Sequence, residues 1–155
     1  MIIKIPNSHF FGSGWAEGVS VRNSLDGAFC SAGLGNISAV RVGSALTPGS
    51  RLVEFHELPP GALVPMVFAS LSSTLPGEII SAGVAIAYPR DRTQAGLVME
   101  YAASGHKQDI EALARRMVLE GMKVRGQETE EIVSIAVQHR VEKIGAVLAA
   151  VVLWE

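Results

Sequence analysis

The segment from Ile144 to Trp154, Ile-Gly-Ala-Val-Leu-Ala-Ala-Val-Val-Leu-Trp, contains no charged side chain. A run this apolar has to be taken out of water, yet it is far shorter than the ~20 residues that a membrane-spanning helix needs. It reads as a buried strand, and the rest of the fold must supply its cover. Further strand patterns occupy Ile2–Ile5, Ile37–Val42, Arg51–Glu57, Leu63–Leu71, Glu78–Tyr88, Ala95–Ala103 and Glu131–Val141. Turn signals such as Leu58-Pro59-Pro60-Gly61 and Ser72-Ser73-Thr74-Leu75-Pro76-Gly77 separate them.

Helical patterning is confined to two places. A short helix covers Leu25–Ala32, capped by Asn23 or Ser24 and stopped by Gly33. A longer one covers Lys107–Met122, with Ile110, Leu113, Ala114, Met117, Val118 and Gly121 as its buried stripe. Ser104 is its expected cap, Asp109 and Glu111 suit its positive start, and Gly121 marks the approach to its stop. Many strands and two helices, mostly not in βαβ alternation, predict an α+β sandwich of largely antiparallel sheets. The whole chain, 1–155, reads as one domain.

Composition narrows the function classes. Apolar residues make up 48% of the chain and charged residues only 18%, too little charge to coat a small monomer, so an oligomer is expected. A net charge of −2, with Arg115-Arg116 as the one adjacent basic pair, excludes a general nucleic-acid binder. Cys30 is the single cysteine and the histidines at 9, 56, 106 and 139 are widely spaced, so no metal site is expected. The N-terminus has no long apolar stretch, so no secretory leader and no membrane are expected, and the cytoplasm is the expected compartment.

Most motifs have plain readings. Gly12, Gly14 and Gly18 fit neither the dinucleotide nor the phosphate-loop spacing and read as a flexible turn region. Ser72-Ser73 lacks a nucleophile-elbow frame and reads as loop. Gly43-Ser44 admits a second chemistry besides a turn. A serine hydroxyl that attacks the preceding carbonyl forms an ester, β-elimination leaves dehydroalanine, and hydrolysis yields a pyruvoyl ketone. Glycine before the serine leaves that carbonyl uncrowded. Glu100 interrupts an apolar strand between Met99 and Tyr101. It either faces solvent or, pointing inward, stays protonated and serves as a proton donor. Asp26 reads as an acid favoured by the start of the short helix, or as a carboxylate that receives a guanidinium in a two-pronged bond.

Several segments together resemble the pyruvoyl-dependent arginine decarboxylases over about Ile2–Trp154. They are Asn23-Ser24-Leu25-Asp26-Gly27-Ala28, Gly33-Leu34-Gly35-Asn36-Ile37, Val40-Arg41-Val42-Gly43-Ser44, Leu58 to Pro65, Pro76 to Ala82, Gly96 to Tyr101, and Val141 to Gly145 with Leu153-Trp154. The resemblance implies an α-β-β-α sandwich assembled into homotrimers or hexamers, with sites between subunits. It implies self-cleavage between Gly43 and Ser44, with a covalent pyruvoyl group derived from Ser44 as the cofactor in place of pyridoxal phosphate or a metal. It further implies that L-arginine becomes agmatine and carbon dioxide through a Schiff base on that group, with Glu100 as proton donor and Asp26 on the substrate guanidinium.

Two positions depart from the family's usual pattern. Gly43 replaces a serine or threonine, and Ser38 stands where an asparagine assists processing, with shorter reach and no amide donors. These departures leave an unprocessed, non-catalytic homologue as one alternative. A decarboxylase of another basic amino acid, lysine or ornithine, is the other.

Overall fold

A computed structural model of the chain describes residues 5–155. In order these are β1 (Ser8–Glu17), α1 (Val21–Ser31), β2 (Ser38–Arg41), β3 (Ala45–Leu46), β4 (Arg51–Leu52), β5 (Leu63–Ser73), β6 (Ile79–Pro89), β7 (Gly96–Ser104), α2 (Lys107–Val124), β8 (Thr129–Arg140) and β9 (Gly145–Trp154). The first sheet runs β2-β5-β9-β1-β4 and the second β3-β7-β6-β8. All pairings are antiparallel except β1 with β4 and β2 with β5. Helix α1 packs on the first sheet and α2 on the second, while the sheets face each other. The architecture is therefore the expected α-β-β-α sandwich.

The apolar run of β9 now has its cover. Val147, Ala149, Val151 and Leu153 join the core between the sheets, whereas Ala146, Leu148, Ala150 and Val152 join the core beneath α1. Successive side chains alternate between two buried faces, so polar residues have no position to occupy. In β6, Ile80, Ala82, Val84 and Ile86 face the other sheet while Ala85 and Ala87 face α2.

Several local expectations are corrected. Gly12 and Gly14 lie within strand β1, and the glycine cluster is not a flexible turn. A Cβ at Gly14 would sit 2.5 Å from the Ala28 carbonyl oxygen, so glycine there lets α1 lie directly on β1. The short helix starts earlier, at Val21, because Ser20 is its cap and accepts the Asn23 N–H at 3.0 Å. Asp26 is consequently a mid-helix residue, and the helix-start reading of it fails. The long helix begins after His106, not Ser104, and its first N–H, from Lys107, is taken by Gln138 Oε1 at 3.0 Å. It passes through Gly121, which lies against Leu97, and ends at Val124.

Arg51–Glu57 forms only the two-residue β4, and Ser72-Ser73 closes β5 instead of forming a loop. The strand expected over Ile2–Ile5 falls on residues 2–4, outside the described ones, and on Ile5, which is in no strand. No helix among the described residues is long and apolar enough to cross a membrane.

Candidate active site

Ser44 sits where the chain passes from one sheet to the other. Strand β2 is the edge of the first sheet, held parallel to β5. The Val42 N–H still donates to the Met66 carbonyl at 3.0 Å, while the Val42 side chain packs into the core between the sheets. After exposed Gly43, the chain enters β3, the edge of the second sheet, where Ala45 and Leu46 pair with Leu97 and Gly96 of β7. The Ser44 carbonyl accepts the Val98 N–H at 2.8 Å. The Gly43-Ser44 bond therefore lies in an irregular crossing. A Cβ at Gly43 would meet nothing within 4 Å, so the position has room for a larger residue and does not require glycine.

Glu100 lies on β7, opposite Val84 of β6 and two residues beyond Val98. On a strand these two side chains share a face, and Val98 belongs to the core between the sheets. Glu100 therefore points toward that interior at its rim and is half-buried. Burial raises its pKa above the ordinary value, against smaller opposing contributions from its own backbone N–H and the Arg41 charge. Of the two orientations open from the sequence, the structure supports the inward one.

Asp26 and Ser38 share a cleft of about 500 Å³ between α1 and the open edge of β2. Asp26 is exposed into it, and all four residues of β2 are exposed. Leu25, Phe29 and Phe68 give the cleft an apolar wall. Ser44 and Glu100 are not among its lining residues, so within one chain the four expected site residues form two adjoining pairs, not one pocket.

Arg41 connects the pairs and carries no sequence signal beyond its place in an alternating strand. It lines the cleft with Asp26, and its charge acts on Glu100. Its guanidinium donates to the Phe68 carbonyl at 2.5 Å and lies 3.9 Å from the centre of the Phe68 ring. The donor and acceptor set of the two pairs suits a ketone-bearing group at residue 44. The residue is half-buried at a backbone crossing, its carbonyl is fixed, and an acid whose pKa burial raises lies two residues along the strand that fixes it.

Two partly buried polar groupings carry no signal in the sequence. His9 bonds Ser50 and Tyr88, and Glu17 bonds His139 at 2.5 Å. Trp15 stacks on His139 with ring centres 4.2 Å apart.

The chain matches, over residues 8–155, the family model described as pyruvoyl-dependent arginine decarboxylase. A protein of that name from Methanocaldococcus jannaschii is 41% identical over 151 residues, covering 97% of this chain and 92% of the relative. Those from Methanothermobacter thermautotrophicus and Thermococcus kodakarensis are 38% and 32% identical. They cover 90% and 96% of this chain, and 91% and 96% of the relatives. Among solved structures, a pyruvoyl-dependent histidine decarboxylase superposes with a TM-score of 0.52 at 14% identity. It covers 61% of this chain and 52% of that one, a likeness of fold alone.

Proposed function

This chain belongs to the pyruvoyl-dependent arginine decarboxylase family, and from that membership we propose that it converts L-arginine to agmatine and carbon dioxide at a site built on Ser44, Glu100 and Asp26. The observation that carries the residue assignment is the Val98–Ser44 hydrogen bond of 2.8 Å, which sets the crossing residue beside the half-buried acid of the same strand. Cleavage between Gly43 and Ser44 leaves residue 44 as a pyruvoyl group, which supplies the electron sink that takes the bonding pair as carbon dioxide departs.

The chain's own residues do the rest. The Ser44 hydroxyl attacks the Gly43 carbonyl to start maturation, at a crossing held on one side by the Val42 bond to the first sheet and on the other by the Val98 bond to the second. Ser38, at the edge strand that leads into the crossing, is the processing-associated residue. Glu100 holds its proton at the carboxyl oxygen and delivers it to the substrate α-carbon. Asp26 takes the substrate guanidinium in a two-pronged, charge-assisted bond.

Exposure of all of β2, together with exposed Val40 and Leu63, supports a homotrimer or hexamer whose contacts close the open cleft. In such an assembly, the Asp26 half of one subunit's site faces the Ser44 half of a neighbour's. The reading carries a cytoplasmic location, where a single exposed cysteine stays reduced. Carbon dioxide release from arginine, lysine and ornithine tests the substrate. Arginine is expected to be strongly preferred, and release from lysine or ornithine alone would contradict the assignment.

A further inference from the structure

His9 is fully buried on β1, which belongs to the first sheet. Its Nδ1 lies 2.8 Å from Ser50 Oγ and its Nε2 2.6 Å from the Tyr88 hydroxyl on β6 of the second sheet. Burial takes His9 down to about 4, and burial first, with the Glu131 charge adding, takes Tyr88 up to about 12. All three side chains are neutral, so each contact is an ordinary hydrogen bond, with one ring nitrogen donating and the other accepting. A neutral polar chain of this kind, with His9 buried and Tyr88 partly so, fixes whatever it bonds.

What it bonds is the segment that starts at Ser44. After β3, the chain turns through Thr47-Pro48-Gly49-Ser50. The Ser50 N–H donates to the Thr47 carbonyl at 3.0 Å, and Gly49 takes the φ of +76° that this turn demands. The segment lies against Tyr88, Pro89 and Gly96 at the end of the second sheet and then joins β1 as β4. Among the described residues, the His9–Ser50 bond is the only side-chain hydrogen bond made by residues 44–50. Upstream, a break after Gly43 removes the covalent tether to β2. Residue 44 is then located by its own carbonyl bond from the Val98 N–H, by the two-residue β3, by buried Leu46 and by the Ser50 anchor. The anchor joins the two products of cleavage, since His9 is in the short fragment while Ser50 and Tyr88 are in the long one.

We propose that His9 and Ser50 are positioning residues for residue 44, a clasp that holds the new end of the long fragment in register with Glu100 and ties the two fragments together. The proposal rests on the assignment of Ser44 as the cleavage residue.

Freshly made full-length chain is followed by intact mass as it converts to fragments, for the parent protein and for Ser50→Ala, His9→Leu, Ser50→Thr and Val118→Ala. Val118 lies on the buried face of α2, on the side of the second sheet opposite to the one Tyr88 faces, and serves as the control for lost stability. Ser50→Ala and His9→Leu should slow conversion roughly tenfold to a hundredfold, the effect of moving a reacting group on the order of 1 Å. Ser50→Thr, which keeps the hydroxyl, should restore most of the rate. Val118→Ala should lower Tm without slowing conversion. In the matured Ser50→Ala protein kcat should fall while KM for arginine holds.

A parent-like kcat in matured Ser50→Ala overturns the clasp, as does equal slowing of conversion in Val118→Ala at the same loss of Tm. Should His9→Leu fail to fold, Ser50→Ala decides alone. Absence of conversion in the parent protein overturns the Ser44 assignment itself, an outcome distinct from parent conversion with unaffected variants.

Discussion

The Val98 N–H donates to the Ser44 carbonyl at 2.8 Å, and this one bond ties the crossing between the two sheets to the strand that carries Glu100. Glu100 lies two residues beyond Val98 on the same face of that strand, on the order of 7 Å away in Cα position. Burial keeps that carboxyl protonated to higher pH than an exposed glutamate.

Glu100→Gln should mature into two fragments yet lose roughly 10²–10⁴-fold in kcat, the range for removal of a positioned proton donor. In the proposed role the acid form of Glu100 is the active one, and its pKa is raised, so the parent kcat should decline as pH rises through that pKa. A kcat–pH profile measured on both proteins checks this. The decline should be present in the parent and missing from the variant.

Asp26→Asn removes the charge that the proposed site sets against the substrate guanidinium. A charge-assisted pair is worth about 1.5–3 kcal/mol, so KM for arginine should rise roughly tenfold to a hundredfold. Ser44 and Glu100 lie outside the cleft that Asp26 lines, so maturation should proceed at the parent rate. Steady-state kinetics beside a denaturing gel separates the two effects.

Much of this could be read from residues alone, and the failures have a common cause. The run Ile144–Trp154 announced a doubly covered strand because its local pattern already contained both faces. The glycines of Gly12-Ser13-Gly14 were misread because glycine signals a turn and a close helix approach in the same letter. Only the contact of Gly14 with Ala28 distinguishes them. Asp26 lost its helix-start role through Ser20, a cap three or four residues before the expected Asn23 or Ser24. The His9 clasp joins residues separated by 41 and 79 positions, and no spacing rule spans such distances. Arg41 looks like any strand charge until its stacking on Phe68 is seen.

The Gly14 contact gives a direct test of the strand. Gly14→Ala should destabilise the protein by about 1–3 kcal/mol, since the added methyl group overlaps the backbone of α1. Denaturant unfolding measures it, and an unchanged midpoint would restore the turn reading.

Glu17 predicts a pH limit on stability. Burial pushes its carboxyl up, but the bond from His139 and the N–H groups of Lys143 and Glu142 together outweigh it and take the pKa from 4.5 to about 2. A carboxylate whose folded pKa is depressed contributes stability in full above its unfolded value and loses it as pH falls through the folded one. Tm should therefore fall between about pH 4.5 and pH 2, and Glu17→Gln should flatten that part of the curve.

The central claim is that Ser44 becomes the cofactor, and intact mass of the purified, active protein tests it most directly. The account predicts two fragments divided between Gly43 and Ser44, the longer one with a carbonyl-blocked N-terminus, and a single uncleaved chain for Ser44→Ala. A parent protein that releases carbon dioxide from arginine while remaining one intact chain would contradict it.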